Sequence, residues 1–160
     1  PESNGKARRS FSSSKSSTLS VPRTPFHIIK MADFSGKWAF DHGENMESLV
    51  DKLKIDPAKI PKDRSTTVEI TQNGDNFHIV SAGGGRNRDM SFTIGKAFVD
   101  PDILELRNKE IQVTPNWNGN KLVLTGPKGT NSATREIVGS QMVVTFNWEG
   151  TVGKRFFNKA

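Results

Sequence analysis

The chain has 160 residues, with 33% hydrophobic and 25% charged side chains and no cysteine. That balance suits a globular chain and excludes a disulfide framework, thiolate catalysis and a Cys-built zinc site. The net charge of +6 is concentrated in residues 1–30, where six basic residues face one acid, whereas residues 31–160 hold 17 basic and 16 acidic side chains. A nucleic-acid-binding surface, which needs a basic domain, loses its support once the charge is divided this way.

Residues 1–30 carry eight serines and little apolar periodicity. Such a segment buries too little surface to order itself and is expected to be disordered. It is Arg-rich, Ser-rich and acid-poor, in the manner of a transit peptide. The competing reading is upstream sequence absent from the mature protein, because Met31-Ala-Asp reads as a start. No run of 18 apolar residues predicts a membrane-spanning helix.

From Met31 the pattern is strand-like. Phe34–His42 alternates as a first strand. Met46, Leu49, Val50 and Leu53 then fall at i, i+3, i+4 and i+7, which places them on one face of a short helix. Asn45 stands where an N-cap belongs. Pro57–Arg64 predicts a second short helix, started by Pro57 and shortened by Pro61. Strands are then predicted at 66–72, 76–82, 88–94, 96–99, 104–114, 121–125, 132–138, 141–148 and 151–158. Asn73-Gly74-Asp75, Gly83-Gly84-Gly85, Asn118-Gly119-Asn120 and Glu149-Gly150 punctuate them. Many short strands at regular spacing imply an antiparallel barrel or sandwich.

Enzyme chemistry finds no constellation. His27, His42 and His78 are the only histidines, and neither HExxH nor GxSxG occurs. Gly83-Gly84-Gly85 lacks the Gly-Lys-Ser/Thr of a phosphate loop and reads as a hairpin tip. Two arginines are more informative. Alternation puts Arg135 on one face with Ala133 and Ile137, and Arg155 on one face with Phe157. If those faces point inward, two guanidiniums that cannot shed their protons enter an apolar interior. Glu136 points the other way, so an anionic ligand, best a carboxylate, would suit them. Alternation alone leaves outward-facing strand arginines equally open.

Residues 31–160 resemble the intracellular lipid-binding family of fatty-acid-binding proteins and their retinoid-binding relatives. The likeness rests on Phe34-Ser-Gly36-Lys-Trp38, on the run through Asn45-Met46-Glu47-Ser-Leu49-Val50, and on Arg135-Glu136 followed 20 residues later by Arg155-x-Phe157. The resemblance implies an all-β fold: a ten-stranded antiparallel up-and-down barrel, or clam, capped by a helix–turn–helix. It implies an intracellular carrier and not an enzyme, which holds one long-chain fatty acid with its carboxylate on Arg135 and Arg155. Phe157 stands where the family's trio has a tyrosine, Met46 where an aromatic is usual, and Gly85 where many relatives carry a bulky portal residue.

Val144 and Phe146 are expected on the cavity wall. Met46, Leu49 and Val50 are expected at its mouth, and Phe34 and Trp38 as plugs at the barrel base. No cofactor or metal is implied. The expected partners are a long-chain fatty acid or similar hydrophobic carboxylate and, transiently, anionic membranes touched through Lys52, Lys54, Lys59, Lys62 and Arg64. The chain is expected to be a monomer in the cytoplasm, and also the nucleus, without nucleic acid. The competing reading of those cations is a solvated helical face. The alternatives in ligand are retinoic acid or another hydrophobic carboxylate, and in setting a secreted lipocalin-like carrier.

Overall fold

In the computed structural model, the described residues are 32–60, 65–83, 86–129 and 131–160. The expectations for residues 1–30, Lys62, Arg64 and Gly85 lie outside them. Ten strands form one antiparallel sheet: β1 (Gly36–Glu44), β2 (Thr67–Asn73), β3 (Asn76–Gly83), β4 (Arg86–Thr93), β5 (Phe98–Val99), β6 (Gln112–Asn118), β7 (Lys121–Thr125), β8 (Ser132–Val138), β9 (Gln141–Trp148) and β10 (Thr151–Lys159). The order is β4-β3-β2-β1-β10-β9-β8-β7-β6-β5, so the first and last strands pair and the sheet curls into a barrel. Its seam lies between β4 and β5, which share no ladder.

Two-residue turns set the registers. Trp148 pairs with Thr151 across Glu149 and Gly150. Both turn residues have positive φ, at 50° and 86°. That is the turn sense which matches the twist of a hairpin. Period-2 alternation then sends Val68, Ile70, Phe77, Ile79, Met90, Phe92, Leu122, Leu124, Met142 and Val144 inside together. Phe34 and Trp38 close one end as expected. Phe34 is fully buried and stacks on Trp117, and the Trp38 indole Nε1 donates to the Phe34 carbonyl at 2.9 Å. Gln72 fastens this end from β2, accepting from Phe34 N at 2.8 Å and donating to the Ala32 carbonyl at 3.1 Å.

The other end is capped by helix α1 (Met46–Leu53), which buries Leu49, Val50 and Leu53 as its spacing requires. These join Ile55 and Trp148 in a second apolar cluster. Asn45 does not cap α1 through its side chain. It lies in the left-handed region, and its side-chain amide donates to the Val152 carbonyl on β10 at 2.7 Å, tying the helix start to the barrel. Helix α1 also rests on two glycines. A Cβ on Gly153 would stand 2.9 Å from Met46 Sδ and 3.2 Å from Leu49 Cδ2, and one on Gly43 would stand 3.2 Å from Met46 Cγ.

Of the second helix expected over 57–64, the described part is one tight turn, Pro57–Lys59. Here the Asp56 side chain accepts from Ala58 N at 3.0 Å. The strand predicted over 104–114 is a correction. Its first residues form a helix, α2 (Pro101–Arg107), and strand structure resumes only at Gln112. Asp100 accounts for this: its carboxylate accepts from the Asp102 and Ile103 amides, and Pro101 fills the first helical position. The short β5 is the same effect seen from the other side, because α2 starts two residues after it.

Candidate ligand-binding cavity

Between the two apolar clusters lies a cavity of about 140 Å³. All eight residues singled out from the sequence line it: Arg135, Arg155, Phe157, Val144, Phe146, Met46, Leu49 and Val50. The strands place them by simple pairing. Arg135 on β8 and Arg155 on β10 both stand opposite Val144 of the intervening β9, so all three share one inner face. Glu136, the next residue on β8, faces outward and sits 3.7 Å from Lys121. Alternation thus turns both arginines inward and leaves the neighbouring acid outside.

Burial strains both cations. Desolvation pushes the Arg155 guanidinium down to about 10, with the nearby Arg88 charge adding to the drop and Asp102 opposing it. The ring faces on either side compensate in part: Arg155 Cζ lies 4.6 Å from the Phe40 centroid and 5.3 Å from that of Phe157. Phe157 therefore provides an aromatic face and no hydroxyl. Arg135 is also lowered, chiefly by desolvation, against the attraction of Asp102 and Asp100. Its Nε is buried with no hydrogen-bond partner among the described residues. An oxyanion entering the cavity would give Arg135 Nε the acceptor it lacks among the described residues.

The sequence reading missed the cavity's other charges. Arg88 comes from β4, Asp100 and Asp102 from the start of α2, and Arg107 from its end; all four line the cavity. Arg88 Nε is 3.0 Å from Asp102 Oδ1, an ion contact rather than an aligned hydrogen bond. The Asp100 carboxyl is pushed up to about 6, first by burial and then by the Asp102 charge, while two backbone amides and Arg135 hold it down. Arg88 was legible, since alternation puts it on one face with the buried Met90 and Phe92. Asp100-Pro101-Asp102 was legible as a helix start. Trp148, Ile103 and Leu106 complete the apolar rim, with Arg107 Cζ lying 5.7 Å from the Trp148 ring centroid.

No group of three or more His, Cys, Asp or Glu among the described residues is arranged to hold a metal ion. No helix among them is long and apolar enough to cross a membrane.

A profile of the lipocalin / cytosolic fatty-acid binding protein family matches residues 31–159. Intestinal fatty acid-binding protein of Sus scrofa is 31% identical over 134 residues, covering 79% of this chain and 98% of that protein. Retinol-binding protein 1 of Homo sapiens is 32% identical over 131 residues, covering 79% of this chain and 96% of its own. Among solved structures, human cRBP IV superposes with a TM-score of 0.70 at 30% identity, covering 81% of this chain and 99% of that one. A fatty acid transporter, REP1-NXSQ, shares the fold with a TM-score of 0.69 at 22% identity, over 80% of this chain and 96% of its own. The chain belongs to the lipocalin / cytosolic fatty-acid binding protein family, whose members are lipid-binding carriers and not enzymes.

Proposed function

We propose that this protein is an intracellular carrier of long-chain fatty acids, with the acyl chain in the barrel and the carboxylate on Arg135 and Arg155. The observation that carries this reading is the pair of inward guanidiniums, Arg135 and Arg155, on the wall of a cavity lined mainly by apolar side chains. Each acyl methylene taken from water gains about 0.8 kcal/mol, so a sixteen-carbon chain gains roughly 12 kcal/mol gross. Association and ordering remove an estimated 4–15 kcal/mol. Each hydrogen bond to the charged head adds about 1.5–3 kcal/mol. The chain therefore supplies most of the affinity, and the arginines choose the head group.

The cavity is comparable in size to one that admits a benzene ring. A long acyl chain therefore needs α1 or α2 to move outward as it enters. Exposed Lys52 and Lys54 on and beside α1, with Lys59, would bring the lid to anionic membranes.

The test is displacement of a fluorescent apolar probe from the delipidated full chain by oleate, retinoic acid and retinol. Selective displacement by the acids is expected. Arg155→Gln and Arg135→Gln should each weaken oleate at least tenfold and retinol less than threefold, in keeping with the loss of one charge-assisted bond. Equal losses for oleate and retinol would remove the arginines from head-group selection. No displacement by any of the three would overturn the carrier reading.

A further inference from the structure

Three of the cavity arginines, Arg88, Arg135 and Arg155, are not alone with a prospective ligand. Asp102 projects from α2 into the same cavity and stands 3.0 Å from Arg88 Nε. Its charge also acts on Arg135 and on Arg155. One cavity-lining carboxylate thus touches Arg88 directly and carries a charge that favours the charged form of the other two cations. We propose that Asp102 is a resident counter-anion of this arginine cluster, and that a carboxylate ligand takes its place there. The inference rests on the fatty-acid reading above and names the residue that sets how strongly the cavity selects acids.

Three features of α2 make the exchange feasible. The helix has no fully buried residue, and Leu104 is 38% exposed. It follows a strand of two residues at the barrel seam, so little backbone pairing holds it. Ile103 and Leu106 reach into the cavity from the same helix, so an outward shift of α2 withdraws the competing charge and enlarges the apolar space together. Asp100 is the less suitable counter-anion, because its carboxylate is occupied by the Asp102 and Ile103 amides at 2.8 and 3.2 Å. Glu105 is more exposed and farther, 3.9 Å from the Arg88 guanidinium.

The experiment measures oleate and oleyl alcohol against the same apolar probe on the full chain, in the native protein and in Asp102→Asn. Removing a like charge several ångströms from the incoming anion should tighten oleate by roughly tenfold at a protein's effective dielectric. Oleyl alcohol should change less than twofold. Asp102→Ser removes the charge with a different side chain and should give the same acid-to-alcohol ratio. Glu105→Gln, a loss of charge on the same helix, should move that ratio less than threefold. An unchanged ratio in both Asp102 variants, with the native protein binding oleate, would overturn the role of Asp102 and leave the carrier reading intact. Oleate binding only to the Asp102 variants would uphold the counter-anion and overturn the fatty-acid reading. Failure of the native protein and of both Asp102 variants to bind oleate would overturn both.

Discussion

Asp100 shows how a single side chain can serve local structure at a cost to global stability. Its carboxylate caps α2, yet the group is buried and its pKa rises from 3.8 to about 6. A raised carboxyl binds its proton more tightly in the folded than in the unfolded chain. Stability therefore falls as the pH climbs from about 4 to about 6 and is constant above, with about 3 kcal/mol at stake. Asp100→Asn keeps a capping oxygen without the charge. It is expected to raise the urea midpoint at pH 7–8 and to leave it little changed below pH 4, read from unfolding curves across that range. At Phe157 the expectation concerns binding. Phe157→Tyr adds a hydroxyl beside Arg155, where the family pattern has one, and should tighten oleate about tenfold through one charge-assisted bond; retinol should change less. The residues of the arginine site were legible because a strand period of two is unambiguous once the strands are known. What alternation could not supply was the inward sense of the faces, which depends on how the sheet closes.

Among the elements, α1 depends on the absence of side chains beneath it. Gly153 and Gly43 let the helix lie directly on the barrel, and Asn45 ties its first turn to Val152. Gly153→Val would place atoms where Met46 and Leu49 already sit. The barrel should persist while α1 lifts, so oleate dissociation is expected to accelerate at least tenfold in stopped-flow transfer to vesicles. An unchanged rate would show that ligand leaves by another route. The hairpins from β7 to β10 matched their predicted bounds closely, because each ends at a glycine-containing turn and alternates cleanly. The stretch 104–114 did not. Leu104, Leu106 and Ile111 suit a strand as well as a helix, and the deciding signal lay upstream in Asp100-Pro101, a cap and a first-turn proline. Local propensity there outweighed the expectation of an unbroken strand.

Over the whole molecule, the barrel is continuous from β4 round to β5 and open between them. Arg88 of β4 reaches across to Asp102 and Glu105 of α2, so side-chain charge spans the seam where backbone pairing is lacking. Opposite the seam, β9, β10 and β1 pair over long registers. Hydrogen exchange should follow this asymmetry: the Asp100, Leu104 and Asn108 amides are expected to exchange well before those of Met142, Val144 and Phe157. Truncation at the closed end should be costly throughout, and Leu122→Ala, at a fully buried site, is expected to lose about 2–5 kcal/mol of unfolding free energy in denaturant titration. The general architecture was legible from strand spacing and the resemblance together; the seam was not, since strand spacing does not show which neighbouring strands fail to pair, and β5 is only two residues long because the Asp100 cap of α2 follows it directly.

The position of Trp148 gives the protein a built-in optical reporter. The chain has three tryptophans and no tyrosine, so its ultraviolet emission is indole emission alone. Trp38 is packed in the core and Trp117 lies against it at the closed end, whereas Trp148 lines the cavity beneath α1 and beside the Arg107 guanidinium. A guest molecule that displaces the lid must alter the polarity around that one ring. The emission spectrum should therefore shift on loading in proportion to occupancy, and Trp148→Phe should silence the shift while the other two indoles continue to glow unchanged.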